Sequence, residues 1–367
     1  QESNIQLGAE QTELYMPLCR HKKLAIVANA ATRIGSTHLV DSLLKRNLKI
    51  TAILTPEHGF EGKMSAGEQV DHGQYLDIPV YSLYGSTKKP TSDMLKGVDV
   101  LLFDLQDVGV RFYTYLSTLH YVMEACAEEG IEMIVLDRPN PNDGIIDGPV
   151  LDTAFSSFVG LHPVPLLYGM TIAEYAMMIH GESWINEASE LELMVVPLGN
   201  YHRQDYTLPH PPSPNLPNHN AVKLYPHLCL FEATTVSVGR GTDRPFQLLA
   251  HPNFENTLVR VTPQSCAAAK YPKLMGQECG AVLLNYQRDI EKKTLDLRLL
   301  LKYHAFMGNR GWELINRPDF FDLLAGTDEL RHAIERGDSW LEIRQSWQSD
   351  LAQFKRLRSR YVLYAGE

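Results

Sequence analysis

The sequence predicts an α/β protein built on a doubly wound, mostly parallel sheet. Short apolar runs alternate with helical patterns through the first half of the chain, and the run at 98–103 is apolar almost throughout. Strands with that composition are buried on both faces, as in sheets covered by helices on each side. Repeated βα order therefore favours parallel strands joined by helical crossovers.

The predicted elements follow one another in this order. Strands are expected at 24–28, 50–54, 98–103, 133–136 and 193–196, and helices at 38–45, 115–129 and 171–179. Gly130 follows the second helix as a C-cap residue, and Thr171 with Glu174 has the spacing of a capping box. Each helix therefore carries its own start or stop signal.

The sheet pattern ends at a proline-rich segment. Residues 208–219 contain five prolines and cannot continue a helix or a central strand. Two interpretations stay open, a linker and an ordered loop that lines a cleft. From about residue 250 the pattern is mixed α+β, with helices expected at 328–334 and 340–357. We therefore divide the chain into domains at 1–207 and 208–367.

Composition limits the classes of partner. The chain has 44 acidic and 34 basic residues, and its net charge of −10 repels nucleic acid and anionic lipid. Any anionic ligand must then be met by a local basic cluster. The sequence has no apolar run of about 18 residues, so no membrane span is predicted. The five cysteines lack metal-type spacing and are expected to be mostly buried thiols.

The chain begins at Gln1 rather than at a methionine. This start fits either a removed signal peptide or a shortened chain. The first alternative implies a periplasmic or secreted protein, which is our expectation for its location.

Three polar clusters follow predicted strands. They lie at 55–59, 104–109 and 137–141, directly after the second, third and fourth strands. Ligands of open parallel sheets bind beyond the carboxyl ends of the strands, where such loops converge. The sequence therefore places a candidate site at this edge of the sheet.

Glu57 is the leading catalytic candidate. It follows Pro56 and precedes His58 and Gly59, which places its carboxyl group on a short, constrained turn. A partly desolvated carboxyl group keeps its proton more readily and suits protonation of a leaving oxygen. The alternative is a helix cap or an ion pair with arginine. His58 either forms loop hydrogen bonds or assists Glu57.

A second acidic group follows the third strand. Asp104 or Asp107 would stabilise an oxocarbenium-like transition state or position a water molecule. Alternatively, Arg111 and Arg138 neutralise both carboxylates. A metal held by the Asp104 and Asp107 carboxylates together with Glu57 stays an alternative, although no H-E-x-x-H spacing supports it. We predict no metal and no cofactor.

Two further segments suit an acidic sugar. Arg111 lies beside Tyr113, and a guanidinium next to aromatic rings recognises a carboxylate while a sugar ring stacks. Aromatic residues at a helix start are also common packing residues. Arg240 and Arg244 stand in a glycine-containing loop that lacks the phosphate-binding G-x-x-x-x-G-K-[ST] pattern.

Read together, these segments resemble the NamZ-like exo-β-N-acetylmuramidases, a family formerly known as a domain of unknown function. The matching stretches are PEHGF at 56–60, AGEQV at 66–70, PVYSLYG at 79–85, DVLLFDLQDVGVRFYTY at 99–115, LDRPNP at 136–141, DGPVL at 147–151, SFVG at 157–160, YGMTIAEYA at 168–176, SPNLP at 213–217 and GRGTDRPFQ at 239–247. The resemblance is strong over about residues 20–250 and loose beyond.

The resemblance implies a Rossmann-like N-terminal domain, a smaller α+β domain and a cleft between them. It implies exo-acting release of N-acetylmuramic acid from the non-reducing end of peptidoglycan fragments, with Glu57, in the P-E-H-G motif, as general acid. His58, Asp104 and Asp107 are candidates for a second catalytic or supporting group. The candidate substrate-binding residues are Asn29, Gln106, Arg111, Tyr113, Arg138, Asn140, Asn215, Arg240 and Arg244.

Three residues depart from the family pattern. Glu61 stands where an arginine is expected, Asp147 where glutamate is common, and Ala31 where threonine is frequent. These departures would alter ligand contacts or pH dependence.

The mechanism and two rival functions stay open. Carboxyl groups roughly 5–5.5 Å apart would indicate retention and roughly 6.5–9.5 Å inversion, while the substrate's acetamido group offers a third route. The rival functions are a non-catalytic muropeptide-binding protein and a metal-assisted hydrolase.

Overall fold

The computed structural model describes residues 5–60, 73–203 and 206–366. Its strands are β1 (Lys23–Val27), β2 (Arg33–Ile34), β3 (Thr37–His38), β4 (Lys49–Thr55), β5 (Gly73–Tyr75), β6 (Ile78–Ser82), β7 (Val100–Phe103), β8 (Glu132–Leu136), β9 (Ile146–Val150), β10 (Pro165–Tyr168), β11 (Leu193–Val196), β12 (Leu248–His251), β13 (Val259–Val261) and β14 (Cys279–Leu283). Its α-helices are α1 (Thr12–Cys19), α2 (Leu39–Leu44), α3 (Tyr115–Glu129), α4 (Ile172–Gly181), α5 (His219–Leu228), α6 (Tyr286–Asp289), α7 (Arg298–Gly308), α8 (Pro318–Ala325), α9 (Glu329–Arg336), α10 (Trp340–Ser346) and α11 (Gln348–Arg358).

The central sheet has the doubly wound topology that the sequence predicts. Its described strands run in the order β11-β8-β7-β1-β4-β6-β5, and every neighbouring pair except β5 with β6 is parallel. From β1 the chain adds β4 and β6 on one side and later β7, β8 and β11 on the other. This is the Rossmann strand order, and its topological switch point lies at β1, between β4 and β7.

Helices cover both faces of the sheet. Along β1, Leu24 and Ile26 belong to one buried apolar cluster and Ala25 and Val27 to the other, because successive side chains point to opposite faces. The first cluster includes residues of α1 and α2, and the second includes residues of α3 and α4. Burial on both sides explains why these strands are apolar almost throughout.

The predicted helix signals are confirmed. Gly130 ends α3 in the left-handed region, with φ 64°, a conformation that glycine adopts without a Cβ penalty. At the start of α4, Thr171 and Glu174 form the capping box, with the Thr171 amide donating to Oε2 of Glu174 at 2.9 Å.

The second half of the chain is mixed α+β, as expected. Strands β12, β14 and β13 form an antiparallel sheet in that order, helices α5 to α11 make up the rest of this half, and α11 contacts β9 of the first half. Strands β9 and β10 form a separate antiparallel pair that the sequence analysis did not find.

One predicted helix, at 340–357, is two helices. It breaks at Trp347, between α10 and α11. The Trp347 side chain is buried, and its indole N–H donates to Oδ1 of Asp147 at 2.9 Å. Oδ2 of Asp147 accepts from the Leu295 amide at 3.0 Å. Asp147, one of the three departures from the family pattern, therefore ties β9 to two later segments.

Residues from the second half of the chain form hydrogen bonds with residues at the edge of the first sheet. The Tyr364 hydroxyl donates to Oδ2 of Asp137, at the end of β8, at 2.5 Å, and accepts from the Leu198 amide at 2.7 Å. Nearby, Arg203 pairs with Asp143 at 2.6 Å. Burial raises the pKa of Asp137 to about 7. The two halves of the chain thus share buried hydrogen bonds.

The sequence predicted no membrane-spanning segment and mostly buried cysteine thiols. In the described part of the chain, no helix has the length and apolar character needed to cross a bilayer. Four of the five cysteines are buried, Cys266 is exposed, and none is joined in a disulfide among the described residues.

Because His227 of α5 is buried, we expect the free energy of unfolding of the protein to fall in acid. Burial lowers its pKa to about 4, and its Nδ1 accepts from the Asp296 amide at 3.0 Å. The unfolded chain binds this proton near pH 6.5, so the free energy of unfolding falls as the pH drops below that value, by about 2 kcal/mol between about pH 7 and about pH 5. Urea unfolding of wild type and His227→Asn at both pH values measures this contribution. The variant should lose less stability than wild type, because pH effects of other groups cancel in the comparison; equal losses would contradict the assignment.

Candidate active site

The polar strand ends meet at the topological switch point. Asn29 follows β1, Glu57 follows β4 and Asp104 follows β7, and these three strands are adjacent in the sheet. The loops after β4, β7 and β8, which carry the three predicted polar clusters, thus leave the same edge of the sheet. Two cavities open beside this edge. Glu57 lines one of them, and His58 lines the other.

Glu57 lines a cavity of about 390 Å³, here called the Glu57 cavity. Its side chain is half-buried, and its Oε2 accepts a hydrogen bond from the Thr114 hydroxyl at 3.1 Å. Tyr84 lies on the same wall, and burial, together with the charge of Glu57 and a hydrogen bond to it, raises the pKa of this phenol. Two hydroxyl groups therefore hold the carboxyl group of Glu57 in place.

Cationic side chains share the wall of the Glu57 cavity. Arg240 lines it, donates through Nε to Oε2 of Glu232 at 2.9 Å, and lies with its guanidinium carbon 5.0 Å from the centre of the Phe246 ring. Lys270, Lys273 and Arg317 also line it. The sequence predicted Arg240 here, and the other three cations come from segments without a recognisable pattern.

Lys273 fixes the segment that carries Glu232. Its ammonium donates to the carbonyls of Phe231 at 2.9 Å, Glu232 at 3.2 Å and Val236 at 3.1 Å, and also to that of Thr234. Burial lowers the pKa of Lys273 to about 8. A lysine surrounded by backbone carbonyls acts as a structural clamp, and here it sets one wall of the cavity.

A second cavity of about 530 Å³, here called the His58 cavity, lies on the other side of the same turn. His58, Asn29, Arg33 and Tyr115 line it together with the prolines of 211–214. The proline-rich segment is therefore an ordered wall of a cleft, and its interpretation as a linker is wrong. Ala31, another departure from the family pattern, also lines this cavity.

Backbone conformation separates the two side chains. His58 has φ 72° and Gly59 φ 73°, and a left-handed conformation is uncommon for a residue other than glycine. Beneath the turn, Asn29 donates through Nδ2 to the Tyr115 hydroxyl at 2.8 Å, and that hydroxyl donates to the Pro212 carbonyl at 3.2 Å. The strained turn is thus held next to a buried polar network.

Asp104 and Arg138 form an ion pair inside the protein. Both are buried, and Nη2 of Arg138 donates to Oδ2 of Asp104 at 2.9 Å, with a second bond from Nε to Oδ1. Nη2 also donates to the Arg33 carbonyl at 3.0 Å. Neither residue lines the two cavities. The neutralised alternative therefore holds for Asp104, with Arg138 as its partner.

Asp107 and two amides build the scaffold behind the site. Oδ2 of Asp107 accepts from the Gly109 amide at 2.7 Å and from the Tyr168 hydroxyl, and burial raises the pKa of Asp107 to about 6. Gln106 donates to the Pro139 carbonyl at 2.8 Å, and Asn140 to the Met170 carbonyl at 2.9 Å. These side chains join neighbouring strand-end loops and line neither cavity.

Arg111 was predicted to bind the substrate, and the structure contradicts this prediction. Its side chain is buried, and its guanidinium donates to the carbonyls of Pro149 and Val164 at 2.8 Å each and to those of Leu324 and Ala325. It lines neither cavity. A buried guanidinium needs several acceptors, and backbone carbonyls provide them here, so Arg111 joins β10 to the end of α8 instead of binding a ligand.

The remaining candidates lie at or beyond the edge of the cleft. Tyr113 is buried with its ring 4.5 Å from that of Tyr115, and Asn215 is buried and donates to the Ala268 carbonyl at 2.9 Å. Arg244 is exposed and lines neither cavity. Glu61 lies outside the described residues.

A possible metal cluster lies elsewhere. Among the described residues, the group of His and acidic side chains close enough to share an ion is Asp328, Glu329 and His332, at the start of α9. None of the three lines either cavity.

A doubly wound sheet with a half-buried glutamate and several cations at its switch point is typical of α/β proteins that bind a polar ligand. Two family models match the chain, described as exo-β-N-acetylmuramidase NamZ, N-terminal, at residues 24–220, and C-terminal, at residues 223–364. The chain belongs to this family and is a glycoside hydrolase.

Proteins of known name or structure match this chain over nearly its whole length. The peptidoglycan β-N-acetylmuramidase NamZ of Bacillus subtilis is 40% identical, covering 95% of this chain and 89% of the relative. Crystal structures of two DUF1343 family proteins from Bacteroides fragilis superpose over 100% of both chains, with TM-scores of 0.87 at 40% identity and 0.83 at 28% identity. These neighbours confirm the α/β fold.

Proposed function

We propose that this enzyme removes N-acetylmuramic acid from the non-reducing end of peptidoglycan-derived saccharides, with Glu57 as general acid. The observation that carries the proposal is the half-buried carboxyl group of Glu57 in a cavity that is also lined by Arg240, Lys270 and Arg317. The name of the Bacillus subtilis relative, a peptidoglycan β-N-acetylmuramidase, supports the substrate class.

The cations fit the feature that distinguishes the sugar. N-acetylmuramic acid is N-acetylglucosamine with an added lactyl ether, which carries a carboxylate. A protein of net charge −10 repels anions at long range, so a local cluster must provide the attraction. An arginine fork binds a carboxylate through two parallel hydrogen bonds, and Arg240 is the predicted arginine that remains in the site.

Glu57 would protonate the glycosidic oxygen as the bond to the sugar breaks. The Thr114 and Tyr84 hydroxyls fix its orientation, and a positioned acid typically contributes about 10²- to 10⁴-fold to the rate. Asp104 and Asp107 lie outside the cavity. Among the described lining residues, Glu232 is the other carboxylate, so it and the substrate's acetamido group are the candidates for the second catalytic role.

Arg240→Ala tests the recognition of the lactyl carboxylate. We expect kcat/KM for a chromogenic N-acetylmuramic acid glycoside to fall by about 10²-fold, because a charge-assisted contact is lost. Hydrolysis of the matching N-acetylglucosamine glycoside should change little. Arg244→Ala, an exposed arginine of the same loop, is the matched control. Equal losses on both glycosides would argue against carboxylate recognition by Arg240.

We also propose that the enzyme acts in the periplasm or outside the cell, where its polymer lies. Cell fractionation with activity measurement is the test, and recovery of the enzyme in the cytoplasm alone would refute the location.

A further inference from the structure

We infer that the loop between β13 and β14, residues 262–278 and here called the wall loop, restricts the enzyme to the terminal sugar of a chain. It closes the Glu57 cavity at the end where the next sugar of a glycan would be attached. The inference rests on the proposed function and deepens it by naming the part of the protein that excludes internal sugars. Lys270 and Tyr271 are the residues that would collide with such a sugar.

The wall loop is long for the connection that it makes. Strands β13 and β14 are antiparallel neighbours, and hairpins of this kind are usually joined by about 2–5 residues. Here the connection runs from 262 to 278 without a helix or a strand of its own. Ordered loops of this length are uncommon and usually have a function. The contacts of the wall loop therefore indicate what that function is.

Backbone hydrogen bonds order the wall loop. The Gly276 amide donates to the Pro263 carbonyl at 2.8 Å and closes the loop at its base. Farther along, the amides of Cys266 and Ala269 each donate to the other's carbonyl at 3.0 Å. These bonds favour a fixed wall over a segment that opens and closes.

The wall loop is also packed against the segment that carries Arg240. The Gln264 amide donates to the carbonyl of Gly241, the residue after Arg240, at 2.8 Å. A Cβ atom at Gly241 would lie 2.5 Å from Cγ of Pro272, so the glycine leaves no room for a side chain between the two segments. The wall loop and the arginine proposed to bind the lactyl carboxylate therefore lie side by side.

Charge interactions place the wall loop away from Glu57. Burial lowers the pKa of Arg240, but nearby charges, which include Glu232 and Glu57, produce a net rise. Burial also lowers the pKa of Lys273, and the charges that act on it among the described residues are Glu232, Arg317 and Arg240. Arg240 is thus within range of both carboxylates, and Lys273 only of Glu232. The order along the cavity is Glu57, then Arg240, then the wall loop.

The groups around the sugar ring follow the same order. In N-acetylmuramic acid the scissile bond is at C1 and the lactyl ether is at C3. The next sugar of a glycan is attached at O4, beside the lactyl group and across the ring from C1. With C1 at Glu57 and the lactyl carboxylate at Arg240, O4 points toward the wall loop. At about 390 Å³, the Glu57 cavity is near the lower end of the range for small-molecule sites, which suits one sugar.

Tyr271 and Lys270 form the outer part of this wall. Both line the Glu57 cavity, and Tyr271 is nevertheless 80% exposed, so its ring stands at the mouth. The ammonium of Lys270 lies 5.8 Å from the centre of that ring. Together they occupy the space into which a substituent on O4 would extend. Removing these two side chains should open the cavity without removing Arg240 or Glu57.

A comparison of two substrates tests the inference. One is a chromogenic aryl glycoside of N-acetylmuramic acid. The other is the same glycoside with N-acetylglucosamine attached to O4, here called the capped glycoside. Hydrolysis at C1 releases the same aryl alcohol from both. The readout is the ratio of kcat/KM for the capped glycoside to that for the uncapped one. A variant that folds poorly lowers both values and leaves the ratio intact.

The wild type should hydrolyse the capped glycoside at least about 10²-fold less efficiently than the uncapped one. We expect Tyr271→Ala to raise the ratio by about tenfold, and the double variant Lys270→Gly with Tyr271→Gly to raise it further. Met275→Ala is the matched control, because Met275 belongs to the same loop and is 47% exposed but does not line the cavity. This control should leave the ratio unchanged.

Phe320→Ala tests another wall of the same cavity. Phe320 belongs to α8 and also lines the Glu57 cavity. A ratio that rises in Phe320→Ala but not in the wall-loop variants would overturn the inference, as would an unchanged ratio in every variant. Efficient hydrolysis of the capped glycoside by the wild type would overturn it as well. If the wild type hydrolyses neither substrate, the proposed function itself fails, which is a different result.

Discussion

Glu57→Gln is expected to lower kcat on a chromogenic N-acetylmuramic acid glycoside by about 10³-fold while leaving substrate affinity nearly unchanged. The amide keeps the size of the side chain and an acceptor for the Thr114 hydroxyl, but it cannot supply the proton that the leaving oxygen needs. Single-turnover rates measure the chemical step, and calorimetry with the inactive variant measures binding.

The matched control for this variant is Glu232→Gln, the other described carboxylate of the cavity. If Glu232 supplies the second catalytic group, both variants lose kcat; if the acetamido group supplies it, Glu232→Gln keeps most of the rate and changes mainly KM. Retention of wild-type kcat in Glu57→Gln would overturn the general-acid proposal. Activity that survives chelation in the wild type would remove the metal-assisted alternative.

Arg138→Met is expected to lower the free energy of unfolding by about 3–5 kcal/mol, because it leaves the buried carboxylate of Asp104 without its partner. Removing one member of a buried pair costs more than removing both, since desolvation of the remaining charge is no longer compensated. Chemical unfolding of the variant measures the loss.

The control is the double variant Asp104→Asn with Arg138→Met, which should recover part of that stability. Its activity is equally informative. If Asp104 supports the structure only, the double variant keeps kcat when it is assayed under conditions in which it is folded. A loss of kcat as large as that of Glu57→Gln would return Asp104 to the list of catalytic groups.

Local patterns were sufficient to predict five of the seven described strands of the first sheet, but not β5 and β6. The strands at 24–28 and 193–196, the helix at 115–129 with its Gly130 cap, and the capping box at Thr171 are confirmed because each depends on neighbours in sequence. The single helix predicted at 340–357 is wrong at Trp347, where the chain breaks and the indole donates to Asp147, 200 residues away. Periodicity contains no information about such a contact.

The site shows the same limit. Glu57 was identifiable because the strand end and the P-E-H-G motif both mark it. Arg111 was misassigned because its role depends on carbonyls of β9, β10 and α8, which the sequence does not place beside it. Lys273 and Arg317 were missed for the opposite reason, as they lie in segments with no periodic or motif signal and reach the cavity only through the fold.

The hydrogen bond between Tyr364 and Asp137 affects the order in which the protein can mature. Asp137 leaves the ribosome 227 residues before Tyr364, so a nascent first sheet lacks one donor to this carboxylate until Tyr364 has been synthesised. In the folded protein burial raises the pKa of Asp137 to about 7, and the hydrogen bond from Tyr364 opposes that rise. A chain shortened before Tyr364 should therefore retain the Rossmann strand order yet depend more strongly on chaperones during biogenesis.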